Sequence, residues 1–362
     1  MNTQDAFSSS YKQARAKFTE AAHARQLKVK SYIHPQLGRD GEELAIDVVM
    51  HGDAQADKLL IVSSACHGVE GYCGSGVQIN ALHDTAFQAH CDANKISVLY
   101  LHALNPYGFS HIRRFTHENV DLNRNFQDFT KPLPSNPEYR AIHPLLLPKK
   151  WPPNWVNKTA IALHIARYGM KALQKAISGG QYEIADGLFY GGIAPTWSNL
   201  TLRQILQDHA QHAKQLAWID LHTGLGEAGA CERAFAGPAS ERVAAARAQM
   251  WWGNAGATPL TFIGDENSVS SPLTGLMWQV AYDECPQAEI TSLAMEFGTQ
   301  PLLMVLEALR AEQWLTNHPE TAPDKAQAIK QQLRDAFYVD TDDWKEKIAA
   351  QGMQALYQAF SS

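Results

Sequence analysis

The stretch 58-KLLIVSSACHGVEG-71 opens on a run of Leu, Ile and Val and closes on His67 and Glu70, set three apart around Gly68. An apolar run of this length bounded by glycine reads as a strand buried on both faces. Polar residues just past such a strand lie where open α/β sheets bind ligands, beyond the carboxyl ends of the strands. Gly68 and Gly71 would let the backbone bend so that both side chains face one cation, although the pair alone is weak evidence and reads more readily as a polar turn.

Four more runs share this character: 43-ELAIDVVMHG-52, 96-ISVLYLHALNPYG-108, 215-QLAWIDLHTGLG-226 and 289-EITSLAMEFGT-299, each ending in Gly or Asn-Pro punctuation. Segments of helical length lie between them at 74–91, 159–178, 198–214 and 239–252. This alternation predicts an α/β sandwich with a largely parallel central sheet covered on both faces. Tyr11, Ala14, Phe18 and Ala21 recur at helical spacing in the first 26 residues and predict an N-terminal helix packed on the body. The Pro-rich stretch 131–153 reads as an irregular excursion over a site, and the charged tail from about residue 318 as a pair of helices.

With 362 residues the chain can form one large domain or two ordinary ones. Its net charge of −6 comes from interspersed acids and bases, which gives no reason to expect a nucleic acid or an anionic membrane as partner. No apolar run approaches the roughly 20 residues of a membrane span, and the N-terminus has no apolar signal core, so a cytoplasmic protein is expected. Cys66, Cys73, Cys91, Cys231 and Cys285 are scattered and form no CxxC pair, as expected of reduced thiols.

Several strand ends carry chemistry. Asp220 and His222 lie two apart and project to one face of their strand, while Ile219 and Leu221 project to the other. A polar face at the end of a central strand is costly unless paired or metal-bound, and a distant histidine could supply the third ligand of a catalytic zinc site. Glu296 sits among apolar neighbours, which suits a general base or a buried ion pair. Residues 105–126 gather Arg113, Arg114, Asp121, Asn123 and Arg124, a set fit to recognise a carboxylate or to brace a surface loop by salt bridges. The chain has no GxSxG, no GxxxxGK[ST] and no HExxH motif.

The order and spacing of these elements resembles the zinc carboxypeptidases of the carboxypeptidase A type and their aspartoacylase-like relatives. HxxE (His67, Glu70) is followed by Asn-Pro-x-Gly-Phe at 105–109, an Arg-containing segment, Asp-x-Asn-Arg-Asn at 121–125, a strand-borne His222 and a strand-borne Glu296, over roughly residues 45–310. The resemblance implies a three-layer α/β/α sandwich with a mixed, mostly parallel sheet. It also implies one zinc ion per chain, held by His67, Glu70 and His222. Asp121 would fix the His67 imidazole, Glu296 would take the proton of the attacking water and pass it to the leaving amine, and one of Arg113 or Arg114 would polarise the scissile carbonyl. Asn123 and Arg124 would bind the substrate's free carboxylate.

The chain departs from the digestive enzymes at Gly68 and Val69, where they have an arginine, and at Phe297–Thr299, where an arginine would follow the base. Their mobile tyrosine has no counterpart in 271-SPLTGLMW-278, and Tyr282 looks displaced. The expected organisation is a helical extension at 1–40, a catalytic domain at 41–315 with an insertion at about 127–195, and a helical tail at 316–362. Within the insertion, 179-GGQYEIADGLFYGG-192 is expected either to shape the pocket or to form a simple turn; His102 and His117 are minor candidates for substrate contact. The expected activity is hydrolysis of an amide bond beside a free carboxylate in a small peptide. Alternatives are an N-acyl amino acid deacylase, an esterase, or a non-catalytic zinc-binding protein.

Overall fold

Among the described residues eight strands form one sheet: β1 (Val29–Leu37), β2 (Glu43–His51), β3 (Lys58–Ser64), β4 (Ile96–His102), β5 (Gln215–Thr223), β6 (Cys231–Phe235), β7 (Thr261–Phe262) and β8 (Glu289–Phe297). The structure, a computed structural model, describes residues 1–238, 240–253, 260–262 and 273–361. The sheet order is β1-β2-β4-β3-β5-β8-β6-β7. Its centre, β4-β3-β5-β8, is parallel, and antiparallel pairings join β2 to β4, β1 to β2 and β6 to β8.

The central strands alternate strictly between two cores. Leu60, Val62, Val98, Tyr100, Ile219 and Met295 point into one, built with the helices Tyr11–Ala24, Gly71–His83 and Asp342–Gln358. Leu59, Ile61, Leu99, Leu101, Trp218 and Ile290 point into the other, against the helices Trp197–His209 and Gln279–Glu284. Runs that are apolar at every position are thereby explained, since each face meets its own helical layer. The fold is the expected α/β/α sandwich with a mixed sheet.

Local outcomes differ from the sequence expectations where tertiary contacts decide. Residues 29–37, placed in a helical extension, are the edge strand β1; only His34 in it is buried, so it carries no apolar pattern. The expected helix 74–91 is two helices, Gly71–His83 and Thr85–Ala93, the second capped by Asp84, whose side chain accepts from Phe87 N. The helix at 159–178 is also two, Trp155–Tyr168 and Met170–Ser178, divided at Gly169 with φ +86°. The Pro-rich stretch contains the helix Pro137–Leu146, capped by Asn136. The tail forms the helices Pro323–Phe337 and Asp342–Gln358.

Two close approaches position the site. A Cβ on Gly68 would lie 2.0 Å from the carbonyl carbon of Gly108, so the loop after β3 and the loop after β4 touch backbone to backbone. The contact is zipped by Gly68 N donating to Arg114 O at 3.1 Å and Val69 N donating to Arg113 O at 2.8 Å. Asn105 then locks the second loop, its side chain accepting from Gly108 N and donating to Arg114 O.

Candidate metal centre

His67 and Glu70 stand at the carboxyl end of β3, and His222 at the carboxyl end of β5, its parallel neighbour. One ligand atom from each lies within 4.8 Å of the others, and all three side chains are buried. Glu70 bridges the two rings: Oε1 is 2.8 Å from His67 Nδ1 and Oε2 is 3.0 Å from His222 Nδ1. The outer nitrogens face carboxylates, His67 Nε2 at 3.2 Å from Asp121 Oδ1 and His222 Nε2 at 2.5 Å from Asp220 Oδ2. An imidazole that donates its Nε2 hydrogen to a carboxylate offers its Nδ1 lone pair inward, the arrangement that metal-bound histidines use.

The buried charges of the site compensate one another. Burial raises the Glu70 carboxyl, yet His67 and His222 together pull it far below the usual carboxylate range. Burial lowers the His222 imidazole, but Asp220 and Glu70 outweigh it and raise the ring well above its ordinary value. Asp121 is held well down against burial by Arg114, Arg124 and His67. Two nitrogens and one carboxylate form the donor set of a catalytic zinc site, so the residues fit such an ion.

Glu296 is the register partner of His222 across the β5–β8 ladder. Burial, and then the negative charge of Glu70, push its carboxyl up to about 8. Its Oε1 accepts from Leu225 N at 3.0 Å.

The arginine doublet divides. Arg114 lies on the site: Nη1 donates to Glu70 Oε1 and Nε to Asp121 Oδ2, each at 3.1 Å, and Nη2 is 2.7 Å from His67 Nε2. His67 Nε2 either accepts from Arg114 or donates to Asp121, and only the second leaves Nδ1 free for a metal. Arg113 turns away, with Nε donating to Glu312 at 2.9 Å and Nη2 to Asn119 at 2.8 Å; Lys330 completes this buried cluster at 2.7 Å from Glu312. Arg113 therefore stands apart from the metal donors, and its candidacy as a carbonyl-polarising residue is not carried by its position.

Arg124 is buried and donates to the carbonyls of Asn123 and Ser178, with no carboxylate in ion-pair contact among the described residues. Burial lowers its affinity for a proton. Asn123 uses its side-chain oxygen to accept from Met277 N at 2.8 Å, which orients the amide and leaves its N–H2 as a donor.

Arg114, Asn123, Arg124, Glu296 and the three donor residues line one cavity of about 140 Å³. Its other walls are mostly apolar: Met170, Leu173 and Ile177 of one helix, Leu302, Val305, Leu306 and Leu309 of the helix Leu302–Thr316, and Phe189, Leu225 and Phe337. Within 179–192, Phe189 does shape the pocket, its ring 5.0 Å from the Arg114 guanidinium. His102 and His117 do not line it: His102 is a core residue stacked on Phe18, and His117 packs against His34. No tyrosine lines the cavity among the described residues; Ser271 and Pro272 of the stretch considered for one lie outside them. The role of Asp220 beside His222 was foreshadowed only by their spacing, and the apolar helices carried no signal that they would meet the site.

Over residues 7–351 the sequence matches the model of a family described as Protein of unknown function (DUF2817). The chain belongs to this family. No curated protein matches the DUF2817 chain. Solved structures similar to it include bovine thrombin-activatable fibrinolysis inhibitor in complex with tick carboxypeptidase inhibitor, at 13% identity over 97% of this chain and 99% of that one, with a TM-score of 0.49. A metallo-carboxypeptidase from Burkholderia cenocepacia follows at 11% identity, covering 96% and 67%, with a TM-score of 0.43. The succinylglutamatedesuccinylase/aspartoacylase from Rhodobacter sphaeroides is similar at 12% identity, covering 86% and 64%, with a TM-score of 0.33. At these scores a functional reading of the DUF2817 chain has to come from its own residues.

Proposed function

We propose that the chain is a zinc-dependent hydrolase that cleaves an amide bond next to a free carboxylate. The observation that carries this reading is the convergence on one cavity of a His-Glu-His donor triangle and the carboxyl of Glu296, the register partner of His222. A divalent ion at the triangle would supply Lewis acidity towards the substrate carbonyl and make water more acidic.

The chain's own residues supply the rest. Glu296, made more basic by burial, takes the proton of the attacking water and returns it to the leaving nitrogen. Leu225 N holds one of its oxygens, which leaves the other for that exchange. Arg114 stabilises negative charge as it develops on the carbonyl oxygen, where a fixed guanidinium gains most. Asp121 and Asp220 keep the two imidazoles oriented. Arg124, which has no ion-paired carboxylate among the described residues, and the Asn123 amide receive the substrate's carboxylate.

The apolar walls favour a second reading of the same machinery, a deacylase of N-acyl amino acids, because such a substrate joins one carboxylate to one apolar group. The five cysteines are all unpaired and buried, which supports a reducing compartment such as the cytoplasm. The test is a library of dipeptides and N-acyl amino acids assayed with zinc present and with a chelator as control. Chelator-sensitive turnover that Glu296→Gln abolishes is the expected result. Active protein freshly purified without stoichiometric metal would sink the ligand assignment.

A further inference from the structure

Residues 139–182 contain seven lysines and arginines and no aspartate or glutamate, in a chain whose net charge is −6. The interspersed charge that argued against an anionic membrane describes the chain as a whole and fails for this segment. Of the seven cations only Arg140 has an ion-pair partner among the described residues, Glu183. Lys149, Lys150, Lys158, Arg167, Lys171 and Lys175 are all exposed.

The segment folds into the hairpin of helices Trp155–Tyr168 and Met170–Ser178. The outward face of the first helix is not polar. Trp155, Thr159, Ala162, Leu163 and Ala166 are exposed at spacings of three and four, and Trp155 and Leu163 retain 76% and 65% of their accessible surface. Val156 and Tyr168 are also exposed, with the Arg167 guanidinium 5.2 Å over the Tyr168 ring. Large apolar side chains on a solvent-facing stripe mark a contact surface. A basic helix with Trp and Leu outward is suited to lie in the headgroup layer, the aromatics at the apolar boundary and the cations on anionic heads.

We propose that this hairpin docks the protein on an anionic lipid surface. Charge complementarity selects an anionic partner, and the exposed Trp155, Val156, Leu163 and Tyr168 select lipid over nucleic acid, which would be gripped by cations without an aliphatic stripe. No helix of the described residues is long and apolar enough to cross a membrane, so the contact is peripheral. Met170, two residues past Tyr168, opens the second helix and lines the cavity of the metal centre.

The experiment is co-sedimentation of the full chain with vesicles of phosphatidylcholine alone and of phosphatidylcholine doped with phosphatidylglycerol, at low and high salt. Binding is expected only to the doped vesicles, falling as salt rises. Trp155→Ala with Leu163→Ser, and separately Lys158→Glu with Arg167→Glu, should each weaken partitioning by about tenfold or more while leaving melting temperature and metal content unchanged. The proposal is overturned if the chain ignores both vesicles, if either variant pair binds like wild type, or if it is retained on DNA or heparin but not on vesicles.

Discussion

Asp220 Oδ2 sits 2.5 Å from His222 Nε2, and Asp220 Oδ1 accepts from Ser63 Oγ at the same distance. Ser63 Oγ in turn accepts from Trp218 Nε1 at 2.7 Å, so a fully buried chain of three hydrogen bonds ends on the imidazole. Asp220→Ala should weaken zinc binding by about 10- to 100-fold. Ser63→Ala should do so by less, since it removes only the support of Asp220. Competition with a coloured chelator measures both; wild-type affinity in Asp220→Ala would reduce the contact to packing.

The neighbouring arginines should separate cleanly. Arg114→Ala is expected to lower kcat by about 10²- to 10³-fold on any substrate found, as loss of an oxyanion donor does. Arg113→Ala should leave turnover nearly intact and destabilise the fold by about 3 kcal/mol, because Glu312 stays buried with Lys330 as its remaining cation. Steady-state kinetics beside thermal melts would show the two effects exchanged if the assignment were reversed.

Glu296→Gln keeps the shape of the side chain and removes the base. Turnover should fall by about 10²- to 10⁴-fold with metal content unchanged. Metal analysis on the same preparation tells loss of the base from loss of the site.

His102 gives the stability a pH dependence of definite sign. Burial holds its imidazole down to about 4, so between there and its ordinary value near 6.5 the unfolded chain takes up a proton that the folded chain refuses. The stabilisation is complete above pH 6.5 and drains away as pH falls towards 4, to a total of roughly 3 kcal/mol. His102→Gln, which retains an acceptor for Ser75, should flatten the curve of melting temperature against pH in that window. An unchanged slope would show that other groups dominate it.

What the sequence made legible follows from which features are local. Strands β3, β4, β5 and β8 are buried on both faces and so wrote themselves as unbroken apolar runs. Their ends fixed where His67, Glu70, His222 and Glu296 would stand. β1 was hidden because an exposed edge strand needs no apolar period. Arg113 and Arg114 could not be told apart, since consecutive loop residues diverge according to the partners that folding offers, here Glu312 for one and Asp121 for the other. The apolar cavity wall was illegible for a similar reason. Leu173 and Val305 belong to two helices far apart in the sequence, and only their convergence on one space gives them a joint role.

His222 and Glu296 face each other across one rung of the β5–β8 ladder. Their separation is thus set by interstrand hydrogen bonding and not by loop conformation. A slip of one residue would swing either side chain to the opposite layer of the sandwich. A native sheet with the base and the ligand mismatched is therefore not a neighbouring state that the chain can visit, and heating should erase their alignment only together with the central strands.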